Sequence, residues 1–335
     1  MGDYPVQHGY DGLGRAVGNV ISGDYADSDL TGFLTDVGET RDGPATVRIL
    51  VNGTTNHDPT SPDVQESTLD VEAIVGVAPG VSFYEYLMPS LTDKSIEDAY
   101  NRVVSDNLVE AVNSSFGGCE TDDPSFEYVT NYIAKQGAAK GITFSASTGD
   151  TGSNGCGAVA NGAPGTAPGV GIPAADYYFT AVGGTDLFVN EVTGVWLNET
   201  GWETGGGGVS KLEPLPSWQA ATSGVTTTGR NVPDIALDAS LETGYENYEN
   251  GGAGIAGGTS LSSPLFIGLQ GEINQIQHRR HGWVNPRLYQ IQNAVGYVHF
   301  RDVVGGSNGA FTAVPGYDNV TGIGSPIGWL LAGTE

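Results

Sequence analysis

The sequence predicts an α/β fold in which a mostly parallel central sheet is covered on both faces by helices. Three observations lead there. Through the first half of the chain, short apolar runs of strand length alternate with helix-length segments, each bounded by polar, glycine-rich stretches. Glycine is abundant, 52 of 335 residues, beside many Thr, Ser and Asn, which implies many turns and argues against an all-helical protein. No low-complexity linker or internal repeat divides the chain, so residues 1–335 are expected to form a single domain.

Taken in order, strands are predicted over residues 45–51, 81–87, 109–114, 142–147 and 178–182, where apolar residues run together. Helices are predicted over 65–76, 94–105, 125–140 and 260–276. Parallel strands joined through helices require right-handed crossovers, and such sheets gather functional groups at the carboxyl ends of their strands. Residues 183–258 read differently, because Gly205 to Gly208 and Pro214 to Trp218 predict long loops with short strands.

Thirteen Lys and Arg face 39 Asp and Glu, a formal charge of −26. Nucleic acid and anionic membranes repel such a surface and are excluded as partners. A high-salt habitat, plain solubility and an acidic workplace, where many carboxylates are protonated, all explain the excess. No window reaches the roughly 20 apolar residues of a membrane span. The start Met-Gly-Asp-Tyr carries no signal-peptide pattern, as in a mature domain without its leader or in a cytoplasmic protein. Two cysteines, Cys119 and Cys156, leave one disulfide or two buried thiols open. Sequons begin at Asn52, Asn113, Asn198 and Asn319, a number that chance supplies in such a composition.

The segment Gly257-Gly258-Thr259-Ser260-Leu261-Ser262-Ser263-Pro264 is a tight turn entering a helix, with a serine at its start and a proline near the first helical turn. Ser260 is therefore either a helix cap, worth about 1 kcal/mol, or a nucleophile. A nucleophile needs a base. None of His8, His57, His278, His281 and His299 lies in a glycine-flanked context, and His278 and His281 read as solvated surface beside Arg279 and Arg280.

Carboxylates are the remaining candidates. Glu66 and Asp70 are four residues apart, hence on one helix face, and in a dry cleft such a pair can share a proton. Two solvated acids would fit the same spacing. Asp150 follows the apolar run 142–147 between glycines, where a parallel sheet presents its ligands. Asp150-Thr151-Gly152-Ser153 alone has the form of a pepsin-like motif. Such enzymes need two copies, and no second Asp-Thr-Gly or Asp-Ser-Gly occurs. Near the carboxyl end, Asp302 and Asp318 sit among glycines that could turn backbone carbonyls toward calcium, without EF-hand spacing; turn-forming aspartates are the other reading.

Together these segments resemble the sedolisin family of serine-carboxyl peptidases, similar to subtilisin in fold but not in triad. The resemblance runs from residues 25–33 to Gly324, through 66–79, 114–120, 147–152, Val182-Gly183-Gly184-Thr185, 230–234 and 257–264. It implies a subtilisin-like three-layer αβα fold and an acid-acting endopeptidase or tripeptidyl-peptidase. By position it implies Ser260 as nucleophile, Glu66 as general base, Asp70 as the group orienting it and Asp150 as oxyanion donor. One structural Ca2+ is implied in the region of about 300–324, held by the side chains of Asp302 and Asp318 and the carbonyls of Val303, Val314 and Gly316. A Cys119–Cys156 disulfide, secretion, a monomeric state, protein or peptide substrates and a propeptide removed on activation follow from the same likeness. Val20 and Phe116 stand where some relatives extend the acid network with a glutamate and a tryptophan, and Val314 stands in place of a glycine. A catalytically silent binding module of the same fold and a pepsin-like peptidase using Asp150 are the alternatives.

Overall fold

The computed structural model describes residues 4–53, 55–157, 165–190 and 192–334. Its centre is an eight-stranded sheet made of β1 (Ala16–Ile21), β2 (Val47–Leu50), β3 (Ser82–Leu87), β4 (Ala111–Asn113), β5 (Thr143–Ser147), β6 (Phe179–Val189), β7 (Trp196–Gly201) and β8 (Ile235–Asp238). The order across the sheet is β7-β6-β5-β4-β1-β3-β2, with β8 also paired to β6. All pairs are parallel except β6 with β7.

Helices cover both faces, giving the three-layer αβα architecture. On one side α2 (Pro62–Val77) packs against α5 (Thr259–Gln277), and Leu69, Ile74, Leu265 and Phe266 are buried in a shared core. On the other, α3 (Asp93–Asp106) packs on α4 (Pro124–Ala139), burying Tyr100, Val103 and Ile133 against Phe144 and Phe179 of the sheet. Each start has a local cause. Pro124 stands at the first turn of α4, and Asp123 accepts hydrogen bonds from the Ser125 and Phe126 amides at 2.9 and 3.2 Å. Pro62 plays the same part at the start of α2.

Every predicted strand and helix is present to within a few residues, except that the strand expected over 178–182 runs on as β6 to Val189; beyond it, residues 190–258 form short strands with long connections, including the hairpin β9 (Tyr245–Glu249) and β10 (Gly252–Ala256). The central strand β1 and the helix α1 (Asp27–Asp36) were not predicted. In β1, Gly18 and Asn19 interrupt the apolar run, although both are buried.

β1 is also where the chain reverses its course across the sheet. It runs out to β2 and β3 on one side and then returns to β4, β5 and β6 on the other. The crevice beyond the carboxyl ends of these strands is where such a sheet binds ligands.

Candidate active site

Four segments meet at this crevice. Helix α2 brings Glu66 and Asp70 on one face, the turn after β4 brings Ser115, the turn after β5 brings Asp150 and the first turn of α5 brings Ser260. Asp70 is wholly buried and Glu66 half-buried. Ser115 donates its hydroxyl to Asp70 Oδ1 at 2.6 Å. The Ser260 and Ser115 hydroxyls both interact with the Glu66 carboxylate and favour its ionised form. They are outweighed: burial, followed by the neighbouring Asp70, pushes Glu66 well above the ordinary range. Burial pushes Asp70 in the same direction, with Glu85 adding to it. Glu66 Oε1 and Asp70 Oδ2 are both buried without a hydrogen-bond partner.

Ser260 is not the cap of α5. Gly258 holds that place, with φ +99°, and Thr259 is the first helical residue. A side chain at Gly258 would run into the Asp150 carboxylate, its Cβ falling 2.7 Å from Oδ2, so glycine is required twice over. Asp150 Oδ1 accepts from the Thr259 amide and from Thr259 Oγ1, each at 2.8 Å, which satisfies one of the free N–H groups opening the helix. Burial nevertheless raises the Asp150 pKa. Gly206 closes the turn from the far side: its amide donates to the Gly149 carbonyl at 2.7 Å, and a Cβ there would overlap the Thr148 carbonyl at 2.0 Å.

The proline lies deeper than the sequence suggests. Pro264 is the sixth residue of α5, so its missing N–H frees the Ser260 carbonyl, four residues back, which faces Ser115 Oγ at 3.3 Å. The Ser260 turn is thereby tied to the strand turn that holds Asp70.

No histidine is among the groups that act on Glu66, Asp70 or Asp150. His8 stacks on Trp329, His57 faces Asp24, and His278 ends α5 in a left-handed conformation. His299 takes part in the backbone pairing with Ile327. His281 departs from the expected solvated surface. It is half-buried, bonded to Asn274 at 2.5 Å and Gln277 at 2.7 Å, and burial lowers its pKa to about 4.

One cavity lies beside Glu66 and another beyond the turn that carries Ser115. The first encloses about 620 Å3 between Gln65 and Glu66 of α2 and Asn247, Asn250 and Ile255 of the hairpin. The hairpin is fixed through its backbone: the Tyr248 amide donates to Glu72 Oε2 at 3.0 Å, and the Asn250 and Gly251 amides to the Asp29 carboxylate at 3.1 and 3.2 Å. The other encloses about 410 Å3 and is lined by Ile96, Phe116, Gly118, Phe126 and Ile172. Cys119 at its edge is bonded to Cys156, so the disulfide alternative holds and the free-thiol alternative falls.

Away from the crevice, the Asp302 and Asp318 carboxylates reach the same short segment. Both oxygens of Asp302 accept from the Gly316 amide at 3.2 Å, and Asp318 Oδ2 accepts from the Val314 amide at 3.0 Å. Among the described residues no protein donor bonds to the carbonyls of Val303, Val314 or Gly316. No three His, Cys, Asp or Glu side chains cluster among those residues. The donors at hand are thus two carboxylates and backbone oxygens, which suit a hard cation.

Ser115, Asn113, Asn19 and Glu85 escaped the sequence reading. Asn113 even has the form of a glycan acceptor, yet it is wholly buried, and Asn319 is buried as well.

The family model described as the subtilase family matches residues 45–304. The chain is 35% identical to kumamolisin of Bacillus sp. (strain MN-32), across 98% of its own length and 61% of that protein's. It is 36% identical to sedolisin of Pseudomonas sp. (strain 101), across 78% of its own length and 47% of that protein's. The chain thus spans about half the length of the curated relatives it matches. A solved structure of Pseudomonas sedolisin, a serine-carboxyl proteinase complexed with two molecules of pseudo-iodotyrostatin, superposes with a TM-score of 0.86 at 29% identity, covering 99% of this chain and 97% of that one.

Proposed function

The chain belongs to the subtilase family, in its sedolisin-type group of serine-carboxyl peptidases, and from that premise we propose that it cleaves peptide bonds in acid through an acyl-enzyme on Ser260. The observation that carries this reading is the convergence of Glu66, Asp70 and Asp150 on the Ser260 turn, with no histidine among the groups that act on the three acids.

Burial raises both Glu66 and Asp70, and on this reading the neighbouring carboxyls share one proton. With that proton on Asp70, Glu66 accepts the Ser260 hydroxyl proton as the oxygen attacks the scissile carbonyl. Asp150, whose pKa burial raises, donates in its acid form to the developing oxyanion beside the Ser260 amide, where the start of α5 favours negative charge. Glu66 then protonates the leaving amine, and water reverses the sequence on the acyl-enzyme. The pepsin-like use of Asp150 finds no support, because its carboxylate is bonded to the Thr259 amide and hydroxyl and not to a second aspartate.

Protein or peptide chains are the substrates on this reading, as monomer and outside the cell, where the Cys119–Cys156 bond persists; a propeptide is the partner before activation. Among the described residues no helix is long and apolar enough to cross a membrane. One Ca2+ on Asp302, Asp318 and the carbonyls of Val303, Val314 and Gly316 would brace the region after α5 without entering the chemistry.

The test is hydrolysis of a labelled peptide across pH. A bell-shaped profile in acid is expected, and Ser260→Ala should lower turnover on the order of 10^4-fold or more while the fold persists. A maximum above pH 8, or turnover retained in the alanine variant, overturns the proposal.

A further inference from the structure

Glu85 is wholly buried in β3, in register with Asn19 of β1, which is itself in register with Asn113 of β4. Three polar residues thus lie side by side across three strands, with Ser115 and Asp70 at the end of the row. We propose that Glu85 is a positioning residue of the active site, acting through Asn19, Asn113 and Ser115 to set which oxygen of Asp70 accepts a hydrogen bond and which faces Glu66. The inference rests on the serine-carboxyl reading of the site.

The direction of each bond carries the proposal. Asn19 Nδ2 donates to Glu85 Oε1 at 3.2 Å, which turns Asn19 Oδ1 toward Asn113. Asn113 Nδ2 donates to that oxygen at 3.0 Å and to Ser115 Oγ at 2.9 Å. With its lone pair engaged, the Ser115 hydroxyl directs its hydrogen to Asp70 Oδ1 at 2.6 Å. Asp70 Oδ2 is buried without a hydrogen-bond partner and is left free to carry the proton of the pair. A second strut joins Glu85 to the catalytic helix, since Ser67, between Glu66 and Asp70, donates to Glu85 Oε1 at 2.8 Å.

An amide can be turned round, so an Asn relay keeps its direction only if one end is fixed. Glu85 Oε1, an oxygen with two donors aimed at it, fixes that end. The charged and titratable groups facing Glu85 are Asp70 on α2, Asp24 and Tyr25 after β1, and Arg48 on β2. Burial raises the Glu85 carboxyl to about 8, so in acid the row carries no charge of its own toward Asp70.

The experiment compares Glu85→Gln with Glu85→Leu in peptide hydrolysis at pH 4, alongside melting temperatures. Glu85→Gln keeps an acceptor oxygen, and its kcat should stay within about threefold of the parent. Glu85→Leu removes it, and kcat should fall about tenfold with KM little changed, the loss of one buried hydrogen bond. Glu85→Leu combined with Asn19→Val replaces both ends of that bond with apolar groups, guards against a folding failure, and should show the same loss. A parental kcat in the leucine or the double variant overturns the proposal, as does a glutamine variant that falls as far as leucine or a loss carried by KM. A parent enzyme inactive in acid instead sinks the serine-carboxyl reading itself.

Discussion

Asp234 and Asp70 are both wholly buried aspartates, but Asp234 faces a cation and Asp70 faces further acids. Arg230, equally buried, donates to Asp234 Oδ2 at 2.7 Å and to the carbonyls of Ala174 and Phe179 at 2.8 Å. The Ala181 amide, Asn285 and Tyr289 complete the shell of Asp234. Burial raises both carboxyls above the ordinary range; at Asp234 the guanidinium pulls back, whereas the groups acting on Asp70 are Ser115, Glu85, Asn19 and Asn113, none of them a cation. One carboxylate is paired with an arginine, and burial pushes the other toward its protonated form. The first kind of site suits a structure that must persist, the second a reaction that must move a proton.

The largest expected effect falls on the cation-neutralised side. Arg230→Met should cost about 3–5 kcal/mol of stability near pH 7, read from urea midpoints, because it leaves a buried charge unpaired. The loss should shrink at pH 4, where Asp234 can take a proton. An Asp70→Asn variant destabilised as much as Arg230→Met would erase the distinction between the two sites.

Asp150→Ala should follow, lowering kcat 10^2- to 10^3-fold, about 3–4 kcal/mol of transition-state stabilisation, with the melting temperature nearly kept. A loss in stability larger than in kcat would make Asp150 a brace for the Thr259 turn and no more.

The third effect is on pH and stability. Glu72, Glu85 and Glu127 are raised to about 8 and Asp238 to about 7, burial being the main cause in each. Their folded pKa values lie above the unfolded ones, so between roughly pH 4 and 8 the folded state holds the extra protons. Their support is complete below about pH 4 and is lost as pH rises toward 8, at about 1.4 kcal/mol per pH unit for each extra proton held. Melting temperatures rising from pH 5 to 8 would contradict the proton-neutralised picture.

The smallest effect is expected from calcium. At pH 6, with the ion at about tenfold its Kd, binding adds about 1.4 kcal/mol, which excess chelator should remove as a lower melting temperature. An unchanged melting temperature argues against the site.

The parts of the active site readable from sequence are those encoded locally. Glu66 and Asp70 are one helical turn apart, and Ser260 follows two glycines into a helix, so spacing alone exposes them. The row from Glu85 to Ser115 has no such signature. Its members come from three strands, and only the register Asn19↔Glu85 and Asn19↔Asn113 brings them together. The same holds for β1, whose Asn19 breaks the apolar pattern because it serves this row. Pro264 was misjudged for a related reason. Its effect depends on a partner from another segment, Ser115, which meets the carbonyl it frees.

The β9–β10 hairpin suggests a use for one more detail. It walls the cleft next to Glu66, but Asp29 and Glu72 grip it through main-chain amides of Tyr248, Asn250 and Gly251. Those anchors are indifferent to side-chain identity, and Ala253 and Ile255 line the cleft with exposed surface. A library varied at these exposed positions, with Gly251 and the two anchoring acids kept, would alter what the cleft wall displays without unseating it. The hairpin is therefore a natural cassette for redirecting which peptides the cleft admits.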